Sequence, residues 1–109
     1  MPKGYWIAHI TITDLETYRK YAMNNHVAIK KYGGRFLVRG GKESPGFPST
    51  SRYEVTHGSL KDRHVVLEFP SYEDALACYK SPEYQEVAKF RDMGGNVDVI
   101  VIEGFESAT

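Results

Sequence analysis

Three polar side chains of the sequence are of the types that could carry out acid–base chemistry together: His9, Arg39 and Glu68. A histidine that titrates near neutrality can take a proton from a carbon acid or a phenol, and a carboxylate can fix its tautomer. An arginine can bind a substrate carboxylate or stabilise an enolate. The alternative is a structural network in which Arg39 pairs with Glu68 and His9 hydrogen-bonds between strands. Because no motif links the three residues, the sequence favours the structural interpretation over catalysis.

Metal binding is a less favoured chemistry. His64 and Glu68 would share one strand face, but four residues separate them, which is about 13 Å at about 3.3 Å per residue. They cannot both ligate one ion, since each ligand must lie about 2 Å from the metal. His57 lies beside a predicted loop and His26 on a predicted helix. We therefore expect no metal site and no other cofactor.

The first half of the chain has the pattern of a strand, a helix and a second strand. Residues 5–12 are aromatic and β-branched, which is typical of a strand. Residues 13–16 match a capping box, in which Thr13 covers free amides at the start of a helix. That helix is predicted to end at residues 33–34, because two glycines there favour a helix stop. Residues 35–40 then alternate as a strand.

The second half repeats this order without repeating the letters. Residues 64–69 are predicted to form a strand, and a second capping box at 71–74 opens a helix. A serine followed by proline at 81–82 restarts the helix, and residues 94–96 close it. The last strand is predicted over 97–105. The order βαββαβ predicts an α+β sandwich, with a four-stranded antiparallel sheet and helices on one face.

Side-chain alternation along the predicted strands indicates which residues face away from the helices. The more apolar set of each strand belongs under the helices. The mixed sets are then expected to line the open face: Ile7, His9, Leu37, Arg39, Val66, Glu68, Val99 and Val101. That face is too apolar to remain in water, so it implies a partner sheet. The sequence thus predicts a homodimer that forms through its open sheet faces.

A cavity on this open face is the predicted ligand site, lined by Ile7, Leu37 and Val66, with Tyr53 and His64 close enough to contribute. The expected ligand is a small, mostly apolar molecule that carries a carboxylate or a carbonyl. One alternative is a cofactor-independent isomerase or monooxygenase with His9 as base and Arg39 as oxyanion partner. A second alternative is a structural or interaction module without a ligand, whose cavity is filled by Leu37, Val66 and Val101.

Four ordered runs resemble domain-of-unknown-function family 1330: residues 5–8 (YWIA), 31–41 (KYGGRFLVRGG), 68–71 (EFPS) and 81–85 (SPEYQ). The resemblance covers about residues 5–104. It implies a ferredoxin-like fold of the dimeric α+β barrel group, in which two subunits pack sheet on sheet and enclose a cavity. The wider group includes cofactor-free monooxygenases, muconolactone-type isomerases and haem enzymes, so the resemblance implies a place for a site without its chemistry.

Composition bounds the remaining possibilities. The chain of 109 residues carries 14 Lys+Arg against 14 Asp+Glu, which argues against nucleic-acid or membrane-surface binding by bulk charge. We expect one domain over residues 1–109 with a loop insertion at about 42–58, and no membrane-spanning segment. The single cysteine, Cys78, is expected to pack inside a helix. Because it cannot form an intramolecular disulfide, we expect a cytoplasmic protein.

Overall fold

The computed structural model describes residues 2–42 and 48–106. Its elements follow the predicted order. The second helical half restarts at residues 81–82 as predicted, and the first half, predicted as one helix, is divided into two. The bounds are β1 Gly4–Ile12, α1 Leu15–Asn24, α2 His26–Lys31, β2 Arg35–Gly41, β3 Arg63–Phe69, α3 Tyr72–Lys80, α4 Pro82–Gly94 and β4 Gly95–Glu103. The four strands form one sheet in the order β2-β3-β1-β4, and every neighbouring pair is antiparallel. The helices cover one face of this sheet, so the predicted ferredoxin-like α+β architecture is confirmed.

The core lies between the sheet and the helices and is centred on Trp6. This side chain is 2% exposed, and its Nε1 donates a hydrogen bond to the carbonyl of Ala75 in α3 at 2.8 Å. Its ring lies 5.0 Å from that of Phe69 and 4.7 Å from that of Tyr84, centroid to centroid. The bond to α3 satisfies the indole N–H, which would otherwise be costly to bury. Trp6 therefore ties β1, β3, α3 and α4 together.

The start of α1 differs by one residue from the prediction. Asp14, not Thr13, is the N-cap: its carboxylate accepts hydrogen bonds from the backbone N–H of Thr17 at 3.2 Å and from the Thr17 hydroxyl at 2.8 Å. The backbone N–H of Thr13 donates instead to the carbonyl of Gly94 at 2.9 Å. The predicted caps of α3 and α4, Ser71 and Ser81, are confirmed, because each accepts the expected backbone hydrogen bond.

Strand β2 contains an irregularity that changes the orientation of Arg39. Phe36 pairs with Leu67 and Val38 pairs with Val66, so two residues of β2 span one step of β3. Such a β-bulge inserts one residue and reverses the alternation that follows it. Arg39 then pairs with the buried Val65 and faces the helices. The prediction that Arg39 lies on the open face is wrong for this reason.

Strand β4 has the opposite phase to the one predicted. Val101 pairs with Trp6 and Val99 with Ala8, and both valines pack against the core. Ile100 and Ile102 occupy the open face instead. Since both faces of this strand carry β-branched apolar side chains, its composition could not reveal the phase. The expectation that Val101 helps to fill an open-face cavity is therefore wrong as well.

The connector between β2 and β3 is only partly described, since residues 43–47 of the predicted insertion lie outside the described residues. Thr50 forms an isolated parallel bridge with Gly40, in which its N–H donates to the carbonyl of Arg39 at 2.9 Å and its carbonyl accepts from Gly41 at 3.1 Å. Residues 52–57 form no strand. Thr50 thus ties the connector to the outer edge of β2.

We predict that deletion of Leu37 leaves the fold intact, because the bulge holds one residue more than the facing stretch of β3 requires. The free energy of unfolding should fall by at most about 2 kcal/mol. Deletion of Val66 is the matched control. Because β3 has no extra residue, this deletion would shift the pairing register by one position and move Leu67 and Phe69 from the core to the open face. Urea unfolding followed by circular dichroism measures both; loss of the cooperative transition in the Leu37 deletion would contradict the prediction.

Candidate functional site

The open face of the sheet carries a row of apolar side chains that crosses all four strands. The register aligns Val38, Val66, Ile7 and Ile100 side by side, and we call this set the apolar row. Val38 is 47% exposed and Ile100 is 51% exposed. Leu37, in the bulge, is also exposed. Three of the residues predicted to line a cavity, Ile7, Leu37 and Val66, therefore lie in or beside this row.

A histidine pair occupies the row of side chains next to the apolar row. His9 and His64 are direct cross-strand partners, and their Nδ1 atoms are 2.8 Å apart. One ring must donate and the other accept at this distance, so both Nδ1 atoms cannot carry a proton without loss of the hydrogen bond. Partial burial and the neighbouring His9 lower the pKa of His64. The pairing was missed from the sequence, because the register between β1 and β3 cannot be read from either strand alone.

Glu68 belongs to a polar cluster on the other side of the apolar row. Its carboxylate accepts hydrogen bonds from Arg35 and from the hydroxyl of Tyr5, and the Arg35 guanidinium lies 2.9 Å away. The hydrogen bond from Arg35 is the main cause that lowers the pKa of Glu68. The ion-pair partner of Glu68 is therefore Arg35 and not Arg39. The structure does not bring His9, Arg39 and Glu68 together.

Tyr53 and Lys61 reach this face from the connector. The ring of Tyr53 lies 6.2 Å from the ring of His64, centroid to centroid, and its contribution to a ligand site stays a prediction. Lys61 forms an ion pair of 2.6 Å with Asp98 of β4, the cross-strand partner of His9. The histidine pair is thus flanked by an aromatic ring and an ion pair.

Arg39 lies on the helix side of the sheet. Its Nη2 donates a hydrogen bond to the carbonyl of Ala22 in α1 at 3.0 Å, and its guanidinium lies 4.5 Å from the centroid of the Phe36 ring. Burial is the main cause that lowers the pKa of Arg39, and the charge of Arg63 adds to it. The group remains protonated, since arginine does not lose its proton in proteins. Two guanidinium charges are therefore held close together between the sheet and the helices.

These arginines line a cavity of about 20 Å³ between the sheet and the helices, which has room for about one water molecule. Its walls include Arg39, Arg63 and Arg91, the apolar Trp6, and Asn25 at the junction of α1 and α2. Arg63 is 1% exposed and Asn25 is 4% exposed. The walls of the cavity therefore combine apolar side chains with three cationic groups and one amide.

Three tyrosines also line the cavity, and two of them, Tyr18 and Tyr84, form hydrogen bonds with its arginines. Arg91 Nη1 donates to the hydroxyl of Tyr84 at 3.1 Å, and that hydroxyl lies 2.7 Å from the hydroxyl of Tyr21. Tyr18 hydrogen-bonds with Arg63, and burial raises the pKa of Tyr18 to about 12. Burial likewise raises the pKa of Tyr84 well above its usual value. The tyrosines are therefore neutral hydrogen-bonding groups at physiological pH.

A surface groove of about 490 Å³ lies next to the cavity. It is bordered by β2 on one side and by residues 48–50 of the connector on the other. Phe36 and Arg39 line both the groove and the cavity, so this stacked pair separates the two spaces. This arrangement could not be predicted from the sequence, because it depends on the bulge that turns Arg39 toward the helices.

Other kinds of site find no support in the described part of the chain. Within residues 2–42 and 48–106, no group of three or more His, Cys, Asp or Glu side chains could hold a metal ion. Over the same residues, no helix has the length and apolar character needed to cross a membrane. Cys78 is completely buried, and burial raises the pKa of its thiol to about 12. Its buried position agrees with the packing role expected from the sequence.

Comparisons with known proteins identify the fold and the family. A protein of unknown function from Rhodopseudomonas palustris superposes with a TM-score of 0.66 at 14% identity, over 97% of this chain and 85% of that chain. SnoaB, a cofactor-independent oxygenase from Streptomyces nogalater, superposes with a TM-score of 0.61 at 7% identity, over 99% and 98% of the two chains. At these identities the likeness concerns the fold alone. A conserved protein of unknown function from Bacteroides thetaiotaomicron gives 0.56 at 9% identity, over 94% and 97%.

No curated protein matches the sequence of this chain. The family described as "Domain of unknown function (DUF1330)" matches residues 3–105, which is nearly the whole chain and includes every strand and helix of the structure. The match also agrees with the four runs from which the resemblance was inferred. The chain therefore belongs to the DUF1330 family, on a ferredoxin-like fold shared with dimeric α+β barrel proteins.

Proposed function

We propose that the protein binds a small organic anion with an apolar body, and that Arg39 contacts the anionic end. The observation that carries this proposal is the position of Phe36 and Arg39 between the surface groove and the arginine-lined cavity. The proposal keeps the ligand class expected from the sequence, a carboxylate or carbonyl on an apolar molecule. It moves the site from the open face to the helix side, because that is where Arg39 lies.

Electrostatics favour an anion at this place. The charges of Arg39 and Arg63 oppose each other in a partly buried environment, which is one cause of the lowered pKa of Arg39. A carboxylate or an enolate between two guanidinium groups would relieve that repulsion and accept hydrogen bonds in a bidentate geometry. An anionic head group is therefore favoured over a neutral or cationic one.

The sizes of the two spaces suggest how such a ligand would lie. The inner cavity of about 20 Å³ admits a small polar group at most, whereas the groove of about 490 Å³ has room for a ring. Phe36, Leu37 and Pro48 provide apolar surface in the groove. We infer that the head group passes the Phe36–Arg39 pair and that the apolar body stays in the groove.

We predict that Arg39→Gln abolishes binding of such ligands while Arg35→Gln does not. A thermal-shift screen of aromatic acids, lactones and quinones should give a wild-type shift of about 5 °C or more at saturating ligand. Arg39→Gln should weaken the affinity at least about tenfold, because it removes the cation that lies between the groove and the cavity. Arg35→Gln is the matched control, since Arg35 lies on the opposite sheet face. Equal shifts in both variants would contradict the proposal.

We also propose that a second copy of this chain covers the open face. The apolar row spans all four strands and is bordered by polar groups, the Arg35–Glu68 pair on one side and the Lys61–Asp98 pair on the other. An apolar centre with a polar rim is the usual anatomy of a protein interface. A second sheet with the same row supplies a matching apolar surface, and two-fold pairing of identical patches is the commonest form of assembly.

We predict that Ile100→Glu turns the dimer into a monomer. A carboxylate in the centre of an apolar interface is desolvated without a partner, so the dissociation constant should rise at least about tenfold. Val27→Glu is the control, because Val27 is exposed on α2, on the helix side of the sheet. Light scattering of the wild type should give twice the chain mass of 12.4 kDa. A folded wild-type monomer at micromolar concentration would refute the dimer.

Catalysis with His9 as the base is a second candidate function. The observation that favours it is the 2.8 Å contact of His9 Nδ1 with His64 Nδ1. If His9 donates its Nδ1 proton in this bond, its Nε2 carries the lone pair and can take a proton from a carbon acid. An isomerase would return that proton to another carbon, whereas a monooxygenase would use molecular oxygen as the oxidant. SnoaB, with the same fold, is a cofactor-independent oxygenase, which is compatible with this candidate.

We predict, for this candidate, that His9→Ala lowers the turnover of a ligand from the screen at least about tenfold, the size of effect expected for a general base. His57→Ala is the control, because His57 is exposed on the connector. Light scattering should show the same oligomeric state in wild type and both variants. A ligand that is recovered unchanged from wild type and variants alike would exclude catalysis and leave binding as the function.

A further inference from the structure

Asn25 supplies the cavity with a hydrogen-bond acceptor, which an arginine guanidinium cannot provide. It lies between α1 and α2, its backbone N–H donates to the carbonyl of Tyr21 at 2.9 Å, and its own carbonyl accepts from Ile29 at 3.3 Å. These bonds fix the backbone of Asn25 in the helical path. Its side chain is therefore held against the cavity by the fold, beside the hydroxyl of Tyr21.

The side-chain oxygen of Asn25 is an unused acceptor. The residue is 4% exposed, and its Oδ1 accepts no hydrogen bond among the described residues. A buried acceptor without a donor is destabilising, so most such atoms in folded proteins are satisfied by protein or water. The oxygen is therefore available to a donor that enters the cavity.

The acceptor and the cationic groups are close enough to contact one small molecule. Arg39 binds the carbonyl of Ala22, which lies three residues before Asn25 on the same helical path. Asn25 and Arg39 also line the same cavity of about 20 Å³, so their polar groups border one small space. A ligand with a hydroxyl next to a carboxylate could donate to Asn25 Oδ1 and accept from Arg39 at once.

We propose that the preferred ligand is a hydroxy acid with an apolar body, whose hydroxyl donates a hydrogen bond to Asn25 while its carboxylate contacts Arg39. This inference rests on the function proposed above and narrows its ligand class. A simple carboxylic acid would leave Asn25 Oδ1 without a donor and would direct one of its own oxygens toward that acceptor. Sites built to hydrogen-bond a hydroxyl reject analogues that lack it much more strongly than apolar pockets reject a missing methylene.

The test compares three acids of matched shape by calorimetry on the whole chain: mandelate, phenylacetate, which lacks the hydroxyl, and O-methylmandelate, whose ether oxygen accepts but cannot donate. Mandelate should bind at least tenfold more tightly than the other two. Asn25→Leu should lower the affinity for mandelate to that for phenylacetate and leave phenylacetate within about threefold. Asn24→Leu, at the adjacent exposed position, should change nothing.

Any other result would overturn a specific part of the inference. Equal affinity of wild type for mandelate and phenylacetate would refute the role of Asn25 and leave the anion site intact, provided that Arg39→Gln weakens both acids. Tight binding of O-methylmandelate would show that no donor is needed. If none of the three acids binds, the proposed anion site and the hydroxy-acid preference both fail. The comparison of the three acids on the wild type tests the inference even if Asn25→Leu does not fold.

Discussion

The pairing register between β2 and β3 is the constraint on which the arrangement of both candidate sites depends. The bulge at Leu37 and Val38 places Arg39 opposite Val65, under the helices, and leaves Val38 beside Val66 on the open face. If Leu37 paired regularly with Val66 and formed no bulge, Arg39 would face outward opposite His64, and Val38 would turn under the helices. One extra residue therefore separates a cationic interior from an apolar exterior. The strand that carries it is at the edge of the sheet, where a bulge disturbs only one neighbour.

As a result the single sheet has two faces of different chemistry. Tyr5, Ile7 and His9 of β1 contribute to the open face, whereas Trp6, Ala8 and Ile10 of the same strand contribute to the core. The proposed ligand site and the proposed dimer surface are thus separated by one layer of backbone. A ligand on the helix side would touch only Val38 of the apolar row, because Val38 and its neighbour Leu37 also line the surface groove. Binding and assembly are therefore expected to be coupled weakly, through the bulge alone.

Most of the fold could be predicted from the sequence because it depends on local signals. Ser71 and Ser81 act as caps where their spacing indicated, and Trp6, Ala8 and Ile10 are buried as their alternation predicted. The site could be predicted only in part, since it depends on contacts between strands. No particular residue type marks the position of the bulge, and β4 is apolar on both faces. The His9–His64 contact depends on the pairing register of two strands that are distant in the sequence. The chemistry of Arg39 makes it a candidate for anion binding, but the sheet face on which it lies could not be predicted from the sequence.

The bridge between Thr50 and Gly40 has a consequence for how copies of the chain can associate. An exposed edge strand offers its backbone groups to any other strand, which leads to open-ended sheet growth. Here the outward carbonyl of Arg39 and the outward N–H of Gly41 already bond to Thr50. The connector thus occupies the hydrogen-bonding positions at this end of β2 and hinders a foreign strand from adding there. Association through faces then remains open to the protein, and extension of the sheet past this edge is disfavoured.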